Sequence, residues 1–371
     1  MALGMTAFVN YIQLQVRQRC VIIVVLALAL VKLIDNRRRG HLDQLRIQEA
    51  LSRQLSLEFD HSKNDNTSTS PKTDPVEEWN IVAEDSTMAL SLVYYPIDKP
   101  EMHHVLVLVI PGNPGVPFYY LPLMQELIKL HGRRHEVRCL SHAGHFMPWK
   151  NNDRAFTLQE QLEHKAFYIE QRLLEDPSLQ LVVIGHSIGS YFALDIARRF
   201  PKKIAKLVLM QPTIMHMAKS RKGKQMMPLF NHYEHGVKLV KAVDFIVPPL
   251  IRLWIVRCIV GSKTSKMLQL ASLSLVNPSV MRNVLGMAAN EMKMVTDLDH
   301  NLITKLETRT LFVYSAVDEW VPPEFVQEIQ VRFPNGQHRI VPQAHAFMME
   351  ANGSRDMAAH ISQWIGDVLD I

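Results

Sequence analysis

A mostly parallel central sheet flanked by helices on both faces, an α/β architecture, is the fold this chain predicts. Three observations carry it. Runs such as "HHVLVLVIPG" (103–112), "LQLVVIG" and "IAKLVLMQP" are apolar throughout instead of alternating, the pattern of strands buried on both faces. Amphipathic stretches of helical period separate these runs. Between Thr213 and His300 the alternation stops, and the sequence becomes helical, basic and rich in methionine.

The first element is an unbroken apolar run, residues 20–31 (CVIIVVLALALV), extended by Leu33 and Ile34. It is near the lower length limit for a membrane-spanning helix. Arg17 and Arg19 precede it and Arg37, Arg38 and Arg39 follow. The stronger positive cluster on the C-terminal side places the rest of the chain in the cytosol. "DNRRRG" follows instead of a small-residue cleavage site, so a removed signal peptide is disfavoured. Residues 1–40 are expected to be an anchor with a basic flank, spanning or lying in the membrane. Residues 41–75 are expected to be a polar linker, most clearly in "DHSKNDNTSTSPKTDP". Under this topology the sequons at Asn66 and Asn352 are chance matches.

Residues 76–371 form the expected folded domain, with 213–300 as a helical lid insert. "WNIVAE" and "LSLVYYP" read as a hairpin, and "HHVLVLVIPG" as a buried strand followed by the helix "FYYLPLMQELIKLHG". "EVRCLS" is a strand, and "TLQEQLEHKAFYIEQRLLED" a long amphipathic helix. The strand "LQLVVIG" feeds a helix that Pro201 stops. Beyond the insert come the strands "RTLFVYSAVDEW" and "HRIVPQAH", then a final helix over 353–369.

The net charge of +5 hides a lopsided distribution: from Arg198 to Lys266 fifteen Lys and Arg face only Glu234 and Asp244. Within this region "AVDFIVPPLIRLWIVRCIVG" (242–261) is strongly apolar but broken at Pro248-Pro249. It fits an element lying in a lipid interface, with Trp254, Arg252 and Arg257 as lipid contacts. Lys219, Arg221, Lys222, Lys224, Lys238 and Lys241 suit anionic headgroups. Ten of the 19 methionines fall between Met210 and Met294 and offer a deformable apolar lining. The plainer alternative is a helix packed on the core with a solvated basic face. Nucleic acid fits poorly, because the basic residues interleave with greasy sequence and not with exposed aromatics.

"GHSIG" (185–189) sits between a strand and a helix. Gly185 and Gly189 let the two approach closely around a strained turn that presents Ser187 at the sheet's C-terminal edge. A serine hydroxyl needs a base, a carboxylate to orient that base, and donors for the oxyanion. His345 in "VPQAHAF" follows the final strand and is the expected base. Asp318 in "FVYSAVDEW" follows the penultimate strand and is the expected acid, with Glu319 as the adjacent alternative. The chain order Ser, Asp, His is that of the α/β hydrolases. The amides of Ile188 and of Asn113 in "IPGNPG" are the expected oxyanion donors, with Gly112 giving close backbone approach. That turn could instead be merely stiffened by its prolines. His186 is read as elbow packing, and His142 and His145 of "SHAGH" as loop or pocket-rim histidines, since a zinc site lacks a third ligand. The role of His164 and Lys165 in "QLEHK" stays open. Three dispersed cysteines suggest neither a disulfide framework nor a metal cluster. No metal or cofactor is expected.

The ordered set "IPGNPG", "SHAGH", "QLEHK", "GHSIGSY", "VDEWVP" and "HAF" resembles the lipid-droplet-associated hydrolase family over roughly residues 100–371. The resemblance implies an α/β-hydrolase fold and a Ser187–Asp318–His345 triad. It also implies residence on lipid droplets and the endoplasmic reticulum, and action on neutral lipid esters such as sterol esters or triacylglycerols. The first 75 residues or so are a departure from that pattern. An acyltransferase using the same triad, and a lipid-droplet organiser with a vestigial one, are the competing readings. Dehalogenase and epoxide-hydrolase chemistry would need an aspartate at position 187.

Overall fold

A computed structural model describes residues 76–96, 105–146, 154–261 and 264–369. The expected anchor (1–40) and linker (41–75), Asn66 included, lie outside the described residues. Eight strands form one sheet in the order β1-β2-β4-β3-β5-β6-β7-β8. β1 (Val76–Ile81) and β2 (Met88–Tyr94) form the expected antiparallel hairpin, and β2 also runs antiparallel to β4 (Glu136–Leu140). From β4 the pairing is parallel through β3 (Val105–Ile110), β5 (Gln180–His186), β6 (Ile204–Met210), β7 (Thr310–Ser315) and β8 (Gln337–Val341).

The uninterrupted apolar strands have a direct structural cause. Successive side chains point to opposite faces, and both faces are covered. Leu106, Leu108 and Ile110 enter one core with Leu181, Val183, Leu207 and Leu209, while Val107, Val109, Val182, Ile184 and Val208 enter the other. Helices α2 (Leu158–Glu175) and α3 (Ile188–Arg199) cover the first face through residues such as Leu158, Leu162, Phe192 and Ile196. Helices α1 (Leu121–His131) and α11 (Gly353–Leu369) cover the second through Leu121, Met124, Met357 and Ile361. A capping box starts α2: Thr157 Oγ1 accepts from the Glu160 amide at 3.2 Å, and Glu160 accepts from the Thr157 amide at 2.8 Å.

Between β6 and β7 the described residues form helices and short turns. These are α4 (Arg221–Asn231), α5 (Tyr233–Ile246), α6 (Pro249–Val260), α7 (Lys266–Leu273), α8 (Pro278–Met294) and α9 (His300–Leu306). The helical stretch therefore continues past the expected limit at residue 300. The two prolines separate α5 from α6, and Pro249 sits in the first turn of α6, where a missing N–H leaves no helical bond unmade. Helix α8 ties the excursion to the body. Asn283 accepts from the Phe156 amide at 2.9 Å and donates to the Arg154 carbonyl at 3.1 Å. Helix α10 (Pro323–Arg332) then joins β7 to β8.

The parallel register aligns the strand ends. Ile110 lies beside Gly185, Gly185 beside Leu209, and His186 beside Met210. The segments after β3, β5, β6, β7 and β8 therefore emerge along one edge, the carboxyl edge where open α/β sheets bind ligands. Close approach there requires glycine. A Cβ on Gly185 would stand 2.3 Å from the Gly189 carbonyl oxygen, and one on Gly189 would stand 2.2 Å from that of Ile110. Neither neighbour is a flexible side-chain end.

Gly189→Ala is expected to destabilise the protein by about 1–3 kcal/mol or more through this overlap. Gly286→Ala in α8 meets nothing closer than 3.7 Å and should be neutral or stabilising by up to ~1 kcal/mol, because it removes a helical glycine. Urea unfolding of both variants checks the pair. Equal effects would contradict the close packing of β3, β5 and α3.

Candidate active site

Ser187 ends β5 and begins α3 with φ 53° and ψ −123°, a conformation that costs a non-glycine residue roughly 1–3 kcal/mol. Its backbone is held on three sides. The Ser187 amide donates to the Met210 carbonyl at 2.9 Å, and its own carbonyl accepts from Ser190 at 3.0 Å and Thr213 at 3.3 Å. The turn lifts the side chain clear of the sheet edge and leaves the Ile188 amide at the first turn of α3, where the helix dipole is positive.

The structure brings Ser187, His345 and Asp318 into one hydrogen-bonded line. Ser187 Oγ lies 2.9 Å from His345 Nε2, and His345 Nδ1 lies 2.7 Å from Asp318 Oδ2. Asp318 Oδ1 accepts from the amides of Trp320 at 2.7 Å and Val321 at 3.2 Å. Burial alone would raise the Asp318 carboxyl, but His345 and the two amides outweigh it and hold it below the ordinary carboxylate range. Asp318 is thus an anion facing Nδ1, which places the donating hydrogen on Nδ1 and leaves Nε2 free to accept from the serine. Glu319, the adjacent alternative, turns outward to Arg221 and Lys222 and does not join this line.

Gly112 presses against the serine: a Cβ there would lie 2.9 Å from Ser187 Cβ. The amides of Asn113 and Ile188 donate to no acceptor among the described residues. The Asn113 side chain points the other way, into the helical excursion, donating to the Val284 carbonyl at 2.9 Å and to Glu291 Oε1 at 3.0 Å. Glu291 is fully enclosed in α8, and burial pushes its carboxyl up to about 7.

Against this turn packs a buried polar layer, in which the sequence left only His164 and Lys165 without a role. His142 Nε2 meets the Pro111 carbonyl at 3.1 Å, and His145 Nδ1 meets that of Pro114 at 3.0 Å. Helix α2 holds the loop carrying both histidines. Gln161 bonds both polar groups of Ala143, at 3.0 and 2.8 Å, and Lys165 Nζ donates to the Ser141 carbonyl at 2.6 Å. Burial pushes His145 down to about 3, His164 to about 4 and the Lys165 ammonium to about 7. His164 packs edge-on against Phe156. Among the described residues no three His, Cys, Asp or Glu side chains converge as metal ligands.

Sequence reasoning missed Tyr120, Gln211 and Glu291, all of which touch the site's loops. Gln211 bears a signal only in three dimensions, its left-handed φ of 44° directly after β6. Of the expected lipid contacts, Trp254 is 57% exposed on α6, and Arg257 is exposed while bonding Gln269 at 2.7 Å. Arg252 is a correction. It is buried at 7% exposure and paired with Asp244, which stands at the end of α5 just before the two prolines. It is not at the surface to meet a headgroup.

A parallel sheet in this strand order, with a strained strand–turn–helix serine at its carboxyl edge, defines an α/β hydrolase. Solved α/β structures resemble the fold at low sequence identity. A membrane phospholipase A, described as a bacterial virulence factor, gives a TM-score of 0.57 at 17% identity, covering 96% of this chain and 99% of that one. A thermophilic esterase from Thermogutta terrifontis gives 0.52 at 16%, covering 80% and 99%. A haloalkane dehalogenase mutant from Agrobacterium tumefaciens gives 0.55 at 11%, covering 79% and 98%. The profile of the lipid-droplet associated hydrolases matches residues 103–348, and the chain belongs to that family. The lipid droplet-associated hydrolase of Gallus gallus is 31% identical over 288 residues, 73% of this chain and 88% of its own length. That of Homo sapiens is 29% identical over 296 residues, 74% and 87%.

Glu291 sets a pH dependence of known sign. Its carboxyl keeps a proton in the folded state up to about 7, whereas the unfolded chain releases it near pH ~4.3. Between these values the folded state binds more protons, so this group makes stability fall as pH rises. Glu291→Gln should remove that contribution. Urea unfolding from pH 4.5 to 7.5 is expected to show the wild type losing stability relative to the variant, and parallel pH profiles would refute it.

Proposed function

We propose that the protein is a serine ester hydrolase that acts on neutral lipid esters, sterol esters or triacylglycerols, through an acyl-enzyme. The observation that carries this reading is the line Asp318–His345–Ser187, at 2.7 and 2.9 Å, beside two unengaged backbone amides. Ser187 Oγ attacks the ester carbonyl carbon while His345 Nε2 takes its proton. Negative charge grows on the former carbonyl oxygen, toward the amides of Asn113 and Ile188 and the positive end of α3. The imidazolium, paired with anionic Asp318, then protonates the departing alcohol. Water, deprotonated by the same nitrogen, attacks the acyl-enzyme and releases the acid.

The substrate class draws on three supports. Relatives that match over most of this chain are named lipid droplet-associated hydrolases. Helices α5 and α6 expose the large apolar side chains Leu239, Phe245, Leu250, Trp254 and Ile259, which water does not favour. Lys238 and Lys241, exposed on α5, can meet anionic headgroups. On this reading the excursion between β6 and β7 is the lid, and its methionines, Met226, Met227, Met287 and Met292, supply deformable packing beneath it. The chain then works at a lipid-droplet or endoplasmic reticulum surface. The sequence asymmetry around residues 17–39 turns the folded domain to the cytosol.

Ser187→Ala should lower turnover about 10⁴- to 10⁶-fold and abolish labelling by a fluorophosphonate probe. A chain-length series of esters, with products analysed for free acid and for transfer to alcohols, tests class and substrate together. Hydrolysis confined to short soluble esters would sink the neutral-lipid assignment, and dominant transfer to alcohols would make the enzyme an acyltransferase. An unlabelled Ser187 in wild-type membranes would favour a non-catalytic organiser.

Leu250→Ser combined with Trp254→Ser is expected to weaken flotation with triacylglycerol emulsions at least tenfold. Each large apolar side chain lost from a lipid interface forfeits about 1.5–3 kcal/mol. The loss of rate on emulsified ester should exceed the loss on soluble ester. Unchanged flotation would remove α6 from the lipid-facing surface.

A further inference from the structure

Next to Ser187 runs a chain of hydrogen bonds that the acyl-transfer steps do not use. The Gly112 amide donates to the Tyr120 hydroxyl at 2.8 Å. That hydroxyl lies 2.6 Å from His186 Nδ1, and His186 Nε2 lies 2.9 Å from the His345 carbonyl oxygen. The two ends set its direction. A carbonyl only accepts, so His186 carries its hydrogen on Nε2, its Nδ1 accepts, and the Tyr120 hydroxyl takes from Gly112 and gives to His186. Tyr120 and His186 are both buried. Burial pushes His186 down to about 3 and the Tyr120 hydroxyl up, so both keep these proton positions across the working pH range.

We propose that Tyr120 and His186 are positioning residues that hold the oxyanion turn and the base loop at a fixed separation about Ser187. The proposal rests on the hydrolase reading above. Both loops need such a holder. The turn at 111–117 contains three prolines and has few N–H groups with which to anchor itself. The base loop follows β8, an edge strand whose Ile340 is 59% exposed, so the strand gives it little packing. His186 neighbours the strained serine and reaches both loops from that fixed point. Gln211, beside His186, assists by donating to the Ala344 carbonyl at 3.0 Å. The amides of Asn113 and Ile188 must meet the developing oxyanion while His345 stays in line with Ser187, and a misplacement of ~1 Å can cost about 10²-fold in rate.

The test uses the full chain in membranes or detergent, a short soluble ester, and a fluorophosphonate probe. Tyr120→Phe keeps the ring that packs edge-on against Phe347 and removes only the hydroxyl. It should lower kcat about 10- to 100-fold with KM within about threefold, and slow probe labelling by the same factor. His186→Gln can still donate to the His345 carbonyl and should retain more activity than His186→Ala. Combining Tyr120→Phe with His186→Ala should be no worse than His186→Ala alone, because one chain is already broken. Wild-type kcat in Tyr120→Phe, or losses that multiply in the double variant, would overturn the proposal. If Tyr120→Phe fails to fold, the two His186 variants decide it: equal loss in Gln and Ala rejects a hydrogen-bonded role. A wild type that neither hydrolyses ester nor labels at Ser187 would instead reject the hydrolase reading, leaving a different signature from failure of the positioning chain.

Discussion

The site depends on one backbone constraint. Ser187 must turn with a left-handed φ of 53° while β3, β5 and α3 converge around it. The strain is retained because the surroundings leave the turn no room to relax. Gly189 packs on the Ile110 carbonyl, Gly185 packs on Gly189, and Gly112 packs on the serine itself. Bonds from Ser187 to Met210, Ser190 and Thr213 hold the same turn through its backbone polar groups. A strained residue persists where many weak constraints agree. Here they also aim the Ser187 hydroxyl at His345 and leave the first amide of α3 beside it, so both groups are placed by a single feature.

The oxyanion turn poses a different problem. Pro111, Pro114 and Pro117 have no N–H to donate, so the turn is held largely by its carbonyls and by incoming side chains. His142 and His145 take the Pro111 and Pro114 carbonyls, and Gln161 and Lys165 of α2 take carbonyls of the loop bearing those histidines. This layer is buried, and burial keeps its histidines neutral, so each ring has one donor and one acceptor nitrogen in place of two donors. The layer thus supports the turn through directed hydrogen bonds, with Lys165 aimed at the Ser141 carbonyl.

Much of the fold and the central line of the site were legible in the sequence, for physical reasons. Strands buried on both faces need apolar residues at consecutive positions, and a strand–turn–helix serine needs its glycines; both are local patterns. Asp318 and His345 were reachable because chain order in this fold maps onto position along the sheet edge. What stayed hidden lies in pairings across long sequence separations. Tyr120 meets His186 across 66 residues, and Asn113 meets Glu291 across 178. Nothing in "FYYLP" or "ANEMK" signals a partner. Arg252 failed for a related reason: helical composition marked it as a surface cation, while the fold brings Asp244 against it.

Fold likeness leaves the chemistry open, since a phospholipase, an esterase and a haloalkane dehalogenase all resemble this chain at 11–17% identity. Position 187 and its immediate partner narrow it. A carboxylate nucleophile is already ionised and needs no base for its first attack, whereas a serine must lose its proton as it attacks. His345 Nε2 stands 2.9 Å from Ser187 Oγ in the ligand-free geometry, and its other nitrogen faces an anion, which is what a serine needs at the first step. The excursion between β6 and β7 joins the turn at 111–117 through Asn113 and Glu291, and its helices α5 and α6 carry exposed large apolar side chains. On the proposed reading, the segment that meets lipid is therefore also the segment bonded to the turn beside Ser187.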